Sequence, residues 1–217
     1  MNRKKISCII PAYNEEKTVI KVINSVKKSR VFDEIIVVND GSEDKTAEVL
    51  SREKGIIFIN LPRNVGKGGA VWHGIQNATG EIIVMIDADL IGLTKLHFRK
   101  LINPLLNNES DVCIGIIRHK KQRFRSLAQK VGSDLSGQQA FFKKDIMGAD
   151  IKSSKFGLEI TLKNHFKKKN LRIKKLSLDG VIHVMKEEKM GFKQGFVARM
   201  KMYREFIAAI FVILKLK

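Results

Sequence analysis

Two aspartates, Asp87 and Asp89, directly follow an apolar run at residues 82–86. An apolar run of this type predicts a strand buried on both faces of a parallel sheet that helices cover. The aspartates would lie at the carboxyl end of that strand, and open α/β sheets bind their ligands at this edge. Two carboxylates there can bind a hard divalent cation, and a metal bound together with a nucleotide is our first interpretation. The alternative is an Asp-x-Asp that only caps a turn or the next helix.

Further polar groups follow the other predicted strands. Pro11, Ala12, Tyr13 and Glu15 follow the first apolar run, and Asp40 follows the second. Together they offer backbone carbonyls, an aromatic ring and carboxylates, which suit the base and ribose of a nucleotide, and Pro11 fixes the backbone there. Taken singly, Glu15 is equally explained as a first-turn carboxylate favoured by the helix dipole, and Asp40 as a turn former.

Lys67 stands between two glycines, one predicted helix before the aspartates. Glycines let the backbone approach a ligand closely, and an ammonium group can then reach a phosphate. A solvent-facing lysine at a helix N-terminus is the alternative.

The composition predicts a single domain. The chain has 217 residues, of which 44% are hydrophobic, enough for one sizeable core and few for two. Cys8 and Cys113 both lie in apolar runs, where a thiol usually behaves as a small buried hydrophobe. Neither a zinc spacing nor a disulfide framework is present, and no signal-peptide-like segment precedes the first strand, so we expect a cytoplasmic protein.

The net charge of +19 is concentrated in the second part of the chain. Up to Asp89 there are 13 Lys and Arg against 12 Asp and Glu, and the remainder has 28 against 10. This asymmetry favours an anionic partner for the second part, such as a phosphorylated substrate, a membrane surface or a nucleic acid. Residues 118–125 carry five Lys or Arg, including Arg118 and Arg123, and form either an anion-recruiting loop or a solvated one.

Strands and helices alternate regularly over the first 90 residues. Apolar runs predict four strands, and helical spacing predicts a helix after each of the first three; the strands are at 5–11, 34–38, 56–61 and 82–86. Such alternation predicts right-handed crossovers and a mainly parallel sheet, with all four strand ends opening on one edge. Farther along the alternation fades, with helices predicted at 96–106 and 157–166 and strands at 112–117, 171–176 and 180–184.

Residues 192–217 carry the pattern of an amphipathic helix. An apolar stripe runs between Lys and Arg residues, and the nine residues at 206–214 are all apolar. Nine are far fewer than the roughly 20 that a transmembrane helix needs. A helix in the membrane interface and a terminal helix packed on the core both fit the stripe, and the apolar end favours contact with a membrane or a partner.

Four segments, in this order, carry a resemblance to a known family: Pro11-Ala-Tyr-Asn-Glu-Glu16, Val38-Asn-Asp-Gly-Ser42 with Asp44 and Thr46, Asn64-Val-Gly-Lys-Gly68, and Asp87-Ala-Asp-Leu90. They resemble the signature series of family-2 glycosyltransferases with the GT-A fold. The nearest branch contains dolichol-phosphate sugar synthases and, more distantly, glucosyl-3-phosphoglycerate synthases, several of which share segments like Ser136-Gly137, Gly157-Leu158-Glu159 and His183. The resemblance implies an α/β fold, a Rossmann-like three-layer sandwich with a mainly parallel central sheet.

The resemblance also implies a metal-dependent hexosyltransferase. Such an enzyme moves a sugar from a nucleoside-diphosphate sugar, such as UDP-glucose, to a phosphorylated or lipid-linked acceptor. Glu15 would bind the ribose and Asp40 the base, while His183 would join Asp87 and Asp89 in holding Mg²⁺ or Mn²⁺. An imidazole ligand favours Mn²⁺. The alternative for a lone His after apolar residues is a hydrogen-bonded core residue.

In an enzyme of this kind, two later residues are candidates for the acceptor side. Glu159 is the candidate general base for a hydroxyl acceptor, with Asp134 as the second choice. Gln138 is a candidate for binding a sugar hydroxyl. The alternatives are that Glu159 is an ordinary carboxylate on a helix surface and that Gln138 caps the helix that follows.

The same resemblance gives the domain organisation. Residues 1–191 would form one domain, with a nucleotide-binding half at 1–90 and an acceptor half at 91–191. Residues 192–217 would be the C-terminal helix, with peripheral contact to the inner face of the cytoplasmic membrane.

Two other functions fit parts of the sequence. A retaining transferase that acts on a small phosphorylated acid, such as 3-phosphoglycerate, would use the same donor site. A nucleic-acid-binding module would explain the basic second part, but its Lys and Arg are not interleaved with stacking aromatic residues, so no nucleic acid is expected. The Gln-x-x-Arg-Trp segment of processive polymerising members is absent from the sequence, which argues against cellulose-type synthesis.

Overall fold

The computed structural model describes residues 3–117, 136–154 and 157–184. Arg118, Arg123 and Asp134, and the helix predicted at 192–217, lie outside the described residues. Within these ranges no helix is both long and apolar enough to cross a bilayer.

Strands and helices alternate in the order that the sequence predicts. The first part contains β1 (Ile6–Ala12), α1 (Val19–Ser29), β2 (Glu34–Asn39), α2 (Thr46–Ser51), β3 (Ile57–Asn60), α3 (Lys67–Asn77) and β4 (Ile82–Met85). It is followed by β5 (Leu90–Ile91), α4 (Lys95–Leu106), β6 (Val112–Ile116), β7 (Gln139–Phe142), a 3-10 turn (Lys143–Ile146), α5 (Leu158–Lys168), β8 (Ile173–Ser177) and β9 (Ile182–His183).

Seven of the strands form one sheet in the order β3-β2-β1-β4-β7-β6-β8. The pairs β3-β2, β2-β1, β1-β4 and β6-β8 are parallel, whereas β7 is antiparallel to both of its neighbours. Six strands therefore run in one direction and β7 runs against them, which confirms the mainly parallel sheet. The two short strands β5 and β9 form a separate antiparallel ribbon.

Helices cover both faces of this sheet, so the fold has three layers. The side chains of β4 alternate between two cores: Ile82 and Val84 pack with α1 and α4, whereas Ile83 and Met85 pack with α3 and α5. This explains why the run before the aspartates is apolar at every position. Cys8 and Cys113 are buried free thiols within the sheet, as predicted.

Two strands were not predicted from the sequence. One is the short β5, and the other is β7, which fills the gap between β4 and β6. The short 3-10 turn begins only at Lys143, five positions after Gln138. The alternative interpretation of Gln138, as a cap of the following helix, is therefore wrong, because a capping side chain must lie next to the first turn.

Candidate active site

The first strands end together at one edge of the sheet. Ala12 at the end of β1 pairs with Asn39, and Asn39 pairs with Asn60 at the end of β3. The backbone amide of Ile86, just after β4, donates to the carbonyl of Ile9 in β1. The loops that follow these strands carry the predicted site residues, so the expected common edge is confirmed.

Asp87, Asp89 and His183 come together at this edge. Each offers one ligand atom, and the three atoms lie within 4.8 Å of one another. Among the residues that the structure describes, no other cluster of His, Cys, Asp or Glu has this geometry. The cluster joins Asp87 and Asp89 to His183, which lies almost 100 positions later in the chain.

The β5-β9 ribbon is what brings His183 to the aspartates. Leu90 pairs with His183, and the backbone amide of Val184 donates to the carbonyl of Asp89 at 3.0 Å. As a result, His183 Nδ1 lies 3.2 Å from Asp89 Oδ1. Burial alone would lower the pKa of His183, but the hydrogen bond and the charge of Asp89, followed by the charge of Asp87, raise this pKa above its ordinary value.

Lys67, the first residue of α3, lies between two carboxylates. Its Nζ is 2.6 Å from Asp87 Oδ1 and 2.6 Å from Glu159 Oε1. Burial would lower the pKa of Lys67, but the two negative charges raise it well above its usual range, so the side chain is a fixed cation. An ammonium group has three N–H bonds, which leaves one for a further anionic ligand.

Gly68 allows α3 to start this close to the loop before α5. A Cβ on Gly68 would lie 2.3 Å from the carbonyl oxygen of Ile151 and 2.4 Å from that of Ser154. Any larger residue would push α3 away from this backbone. The glycine that precedes the helix, Gly66, has a φ of 87°, a conformation that favours glycine. The Gly-Lys-Gly segment thus sets the position of the ammonium group.

Gln138 and Gly137 pack against Asp87 from the loop before β7. The Gln138 amide Nε2 donates to Asp87 Oδ2 at 2.7 Å, and the residue is completely buried. A Cβ on Gly137 would lie only 2.3 Å from Asp87 Oδ2. The amide of Gln138 is therefore engaged with Asp87.

The loops after β1 and β2 are joined by hydrogen bonds. The backbone amide of Asn14 donates to the Ser42 hydroxyl at 2.9 Å, and the amide of Glu43 donates to the Asn14 side-chain oxygen at 2.9 Å. The amide of Glu15 donates to the Thr46 hydroxyl at 2.8 Å. These bonds fix the loop that carries Tyr13 and Glu15. Asn14 was not singled out in the sequence, although its φ of 56° belongs to a conformation that Asn tolerates better than most residues.

The predicted donor-binding residues occupy different positions in this loop pair. Ala12 is buried at the end of β1, whereas Tyr13 has 41% of its surface exposed at the edge. The Glu15 carboxylate accepts a hydrogen bond from the Thr18 hydroxyl just before α1. Pro11 precedes them in β1, and together the four residues form a continuous segment beside the loop after β2.

Asp40 is almost fully buried beneath the loop that leads to α3. Its Oδ1 accepts a hydrogen bond from the backbone amide of Val65 at 2.8 Å. Burial raises the pKa of Asp40, although the backbone amides of Val65 and Gly66 and the charge of His73 act in the opposite direction. The carboxylate thus links the end of β2 to the glycine loop before Lys67.

The chain is similar to known proteins over most of its length. The profile of a family described as Glycosyl transferase family 2 matches residues 7–184. A dolichyl-phosphate beta-glucosyltransferase of Trichomonas vaginalis is 38% identical over 128 residues, which are 51% of this chain and 38% of that protein. A glucosyl-3-phosphoglycerate synthase of Mycobacterium tuberculosis is 38% identical over 116 residues, which are 49% of this chain and 35% of that protein. These alignments span less than two fifths of either relative.

A solved structure has the same fold. The glucosyl-3-phosphoglycerate synthase from Mycobacterium tuberculosis, in complex with Mn²⁺, UDP and glucosyl-3-phosphoglycerate, superposes with a TM-score of 0.68. It is 28% identical, and the match covers 83% of this chain and 72% of that chain. Another structure of the same enzyme contains Mg²⁺ and UDP, with a TM-score of 0.67 and 26% identity over 90% of this chain and 79% of that one.

Proposed function

The chain belongs to glycosyl transferase family 2, and we propose that it transfers a sugar from a nucleoside-diphosphate sugar, such as UDP-glucose, to a phosphorylated acceptor. The observation that carries this proposal is the grouping of Asp87, Asp89 and His183 beside Lys67 at the carboxyl edge of the sheet. Two carboxylates and an imidazole next to an ammonium group suit a metal-bound diphosphate.

The three clustered side chains fit Mn²⁺ or Mg²⁺. Carboxylate oxygens suit both ions, and the imidazole of His183 shifts the preference towards Mn²⁺. The bound cation supplies Lewis-acid stabilisation of the charge that develops on the leaving diphosphate. Lys67 supports the same charge with the N–H bond that its two carboxylate partners leave free, and it is protonated at any working pH because its pKa is raised.

The loops after β1 and β2 form the proposed site for the nucleoside. Tyr13 offers an exposed ring next to Pro11 and Ala12, and we assign Glu15 to the ribose hydroxyls and Asp40 to the base. Support comes from the hydrogen bonds that hold the two loops together, because a preformed site loses less entropy on binding.

The acceptor side is assigned to the second half of the domain. A phosphate acceptor has a second pKa of about 6, so it is largely ionised at neutral pH and needs little help from a general base. For a hydroxyl acceptor we propose Glu159, whose carboxylate lies 2.6 Å from Lys67 Nζ and so adjoins the diphosphate site. Arg118 and Arg123 remain proposed acceptor contacts. The +18 charge of the second part supports an anionic acceptor.

The domain limits and the location in the cell are also proposals. We take residues 1–191 as one domain, with donor and acceptor halves that meet near residue 90, and 192–217 as a peripheral contact with the cytoplasmic face of a membrane. A lipid-linked phosphate would favour this contact, since the acceptor would then lie in the bilayer. A small phosphorylated acid is the second candidate acceptor, and the likeness to the glucosyl-3-phosphoglycerate synthase structures favours it.

Ligand binding provides the first test of the donor site. UDP with Mn²⁺ at about 100 times its dissociation constant should stabilise the protein by about 2.7 kcal/mol. For a domain of this size that corresponds to a rise in Tm of roughly 5–10 °C. UMP, which lacks the second phosphate, and UDP with EDTA are the matched ligand controls. Equal stabilisation by UMP with EDTA and by UDP with Mn²⁺ would argue against a metal-diphosphate site.

A turnover assay then identifies the acceptor. A panel of UDP-, GDP- and ADP-sugars is incubated with Mn²⁺ and either a polyprenyl phosphate in vesicles or 3-phosphoglycerate in solution. We expect release of nucleoside diphosphate that depends on one of the two acceptors. Release that is equal without any acceptor would indicate hydrolysis and contradict the proposed transfer.

The pH dependence of metal binding follows from His183. A metal needs the neutral imidazole, whereas Asp89 favours the protonated form and so raises the pKa of His183. The proton therefore competes with Mn²⁺ from a higher pH than for an ordinary histidine, and the affinity should fall by about tenfold per pH unit below this pKa. In the metal-free protein the folding stability changes with pH in the opposite direction to the metal affinity. The pair of His183 and Asp89 stabilises the fold at low pH, and this contribution is lost as the pH rises through the raised pKa of His183.

Calorimetric titration of Mn²⁺ with saturating UDP at pH 8, 7 and 6 measures this dependence. The His183→Gln variant is the control, because it removes the titrating ligand and should bind Mn²⁺ more weakly but with a flatter pH dependence. An affinity of the native protein that does not change between pH 8 and pH 6 would exclude His183 as a ligand.

A further inference from the structure

Gln138 has a fixed orientation in a completely buried position. Its Nε2 donates to Asp87 Oδ2 at 2.7 Å, and its Oε1 accepts from the Ser136 hydroxyl at 2.6 Å. A terminal amide can turn by 180° without changing its shape, but the turned amide would direct Oε1 at a carboxylate. The contact with Asp87 decides between the two orientations, because the Ser136 hydroxyl, whose single proton also faces the Gly115 carbonyl, can either donate to the other end of the amide or accept from it.

Asp87 is consequently held through both of its oxygens. Lys67 Nζ lies 2.6 Å from Oδ1, and the amide of Gln138 contacts Oδ2. Each carboxylate oxygen has two lone pairs, so each can still bind a cation while it accepts one of these hydrogen bonds. What the two donors remove is the rotation of the carboxylate about its χ2 angle.

We propose that Gln138 is a positioning residue, whose buried amide fixes the Asp87 carboxylate in the orientation that binds the divalent cation together with Asp89 and His183. This inference rests on the proposed function and names the residue that prepares its metal site. Groups that hydrogen-bond a ligating side chain commonly change metal affinity by 10-fold to 100-fold when they are removed.

The neutral charge of the amide supports this role. Asp87 already faces one cation, Lys67, and a second cation at the position of Gln138 would cancel more of its charge and compete with the metal. A carboxylate at that position would repel Asp87. An amide orients Asp87 and leaves its negative charge for the metal. A carboxylate that binds a cation needs both.

The test measures the Mn²⁺ dissociation constant directly, from the electron paramagnetic resonance signal of free Mn²⁺ at saturating UDP. Gln138→Met keeps the volume of the side chain and removes the donor, and we expect it to weaken Mn²⁺ binding by about 10-fold to 100-fold. At saturating Mn²⁺ its kcat should approach that of the native protein, so the defect appears in the Mn²⁺ requirement. Gln138→Glu should weaken binding at least as much.

Gln139→Met is the matched control. Gln139 is the neighbouring glutamine and is also buried, but its amide donates to the backbone carbonyl of Ser136 at 2.8 Å, and its Oε1 has no hydrogen-bond partner among the residues that the structure describes. We expect its Mn²⁺ dissociation constant to stay within twofold of the native value.

Three outcomes would overturn the inference, and they are distinguishable. Native Mn²⁺ affinity in Gln138→Met would show that Asp87 needs no such support. Equal losses in Gln138→Met and Gln139→Met, with equal falls in Tm, would show a purely structural role. A native protein that binds no Mn²⁺ with UDP would remove the proposed function together with this inference.

Discussion

The Asp89→Asn variant is expected to lose turnover by a factor of roughly 10² to 10⁴. The substitution keeps the shape of the side chain and removes the negative charge that faces His183 and the proposed metal. A catalytic metal contributes several kcal/mol of transition-state stabilisation, and each 1.36 kcal/mol corresponds to a factor of ten in rate. The measurements are kcat/KM for sugar transfer and the Tm rise caused by UDP with Mn²⁺, which should both collapse.

The Asp179→Asn variant is the control for this substitution. Asp179 lies four positions before His183, and 69% of its side-chain surface is exposed. The exchange alters the net charge of the protein by the same amount without touching the cluster, so kcat/KM should stay near the native value. If Asp89→Asn retained more than a tenth of native turnover with an unchanged Mn²⁺ requirement, the proposed metal site would be wrong.

The sequence was sufficient for the parallel part of the sheet formed by β1 to β4 and for the edge at which these strands end. Each apolar run has the length of one strand, and the run before Asp87 is apolar at every position because its side chains enter two cores in alternation. The carboxyl ends of parallel strands must then meet at one edge. This is why the sequence predicts Asp40, Lys67 and Asp87 at the same edge of the sheet.

The contacts within the site depend on pairings that the sequence does not reveal. His183 reaches Asp89 only through a ribbon of two residues per strand, which is too short to produce a periodic pattern. Glu159 meets Lys67 across 92 positions of the chain, and nothing in the spacing of either helix indicates it. In both cases the resemblance to a family pointed to the residue, and the geometry supplied the partner.

The missed role of Gln138 has a different origin. Residues 138–142 are apolar or uncharged and precede two lysines, so strand and helix-start patterns are equally good descriptions. The antiparallel pairing of β7 with β4 decides between them, and it also brings Gln138, just before β7, into contact with Asp87, two positions after β4. Short-range patterns cannot contain this information, because the pairing joins residues more than 50 positions apart.

The second large effect is expected from a single methyl group, in Gly137→Ala. The new Cβ would lie 2.3 Å and 2.5 Å from the two Asp87 carboxylate oxygens and 2.6 Å from Lys67 Nζ. Atoms do not approach this closely, and Asp87 is a short side chain held on its other side by Gln138, so the carboxylate must rotate away. We expect kcat/KM to fall by roughly 10² to 10³, since a misplaced metal ligand forfeits several kcal/mol of catalysis.

Gly148→Ala separates this steric effect from the general cost of replacing a glycine. Gly148 has a φ of 84°, and a Cβ there would meet no atom of residues 3–117, 136–154 or 157–184 within 4 Å. Its replacement should strain the backbone by roughly 1–2 kcal/mol and lower Tm, while kcat/KM of the folded protein stays native. Gly137→Ala should show the reverse, a small change in Tm with a large loss of activity and of Mn²⁺ affinity. Native activity in Gly137→Ala would mean that Asp87 tolerates displacement, and the assignment of Asp87 to the metal would then fail, because a ligand that can be displaced without effect is not bound to the cation.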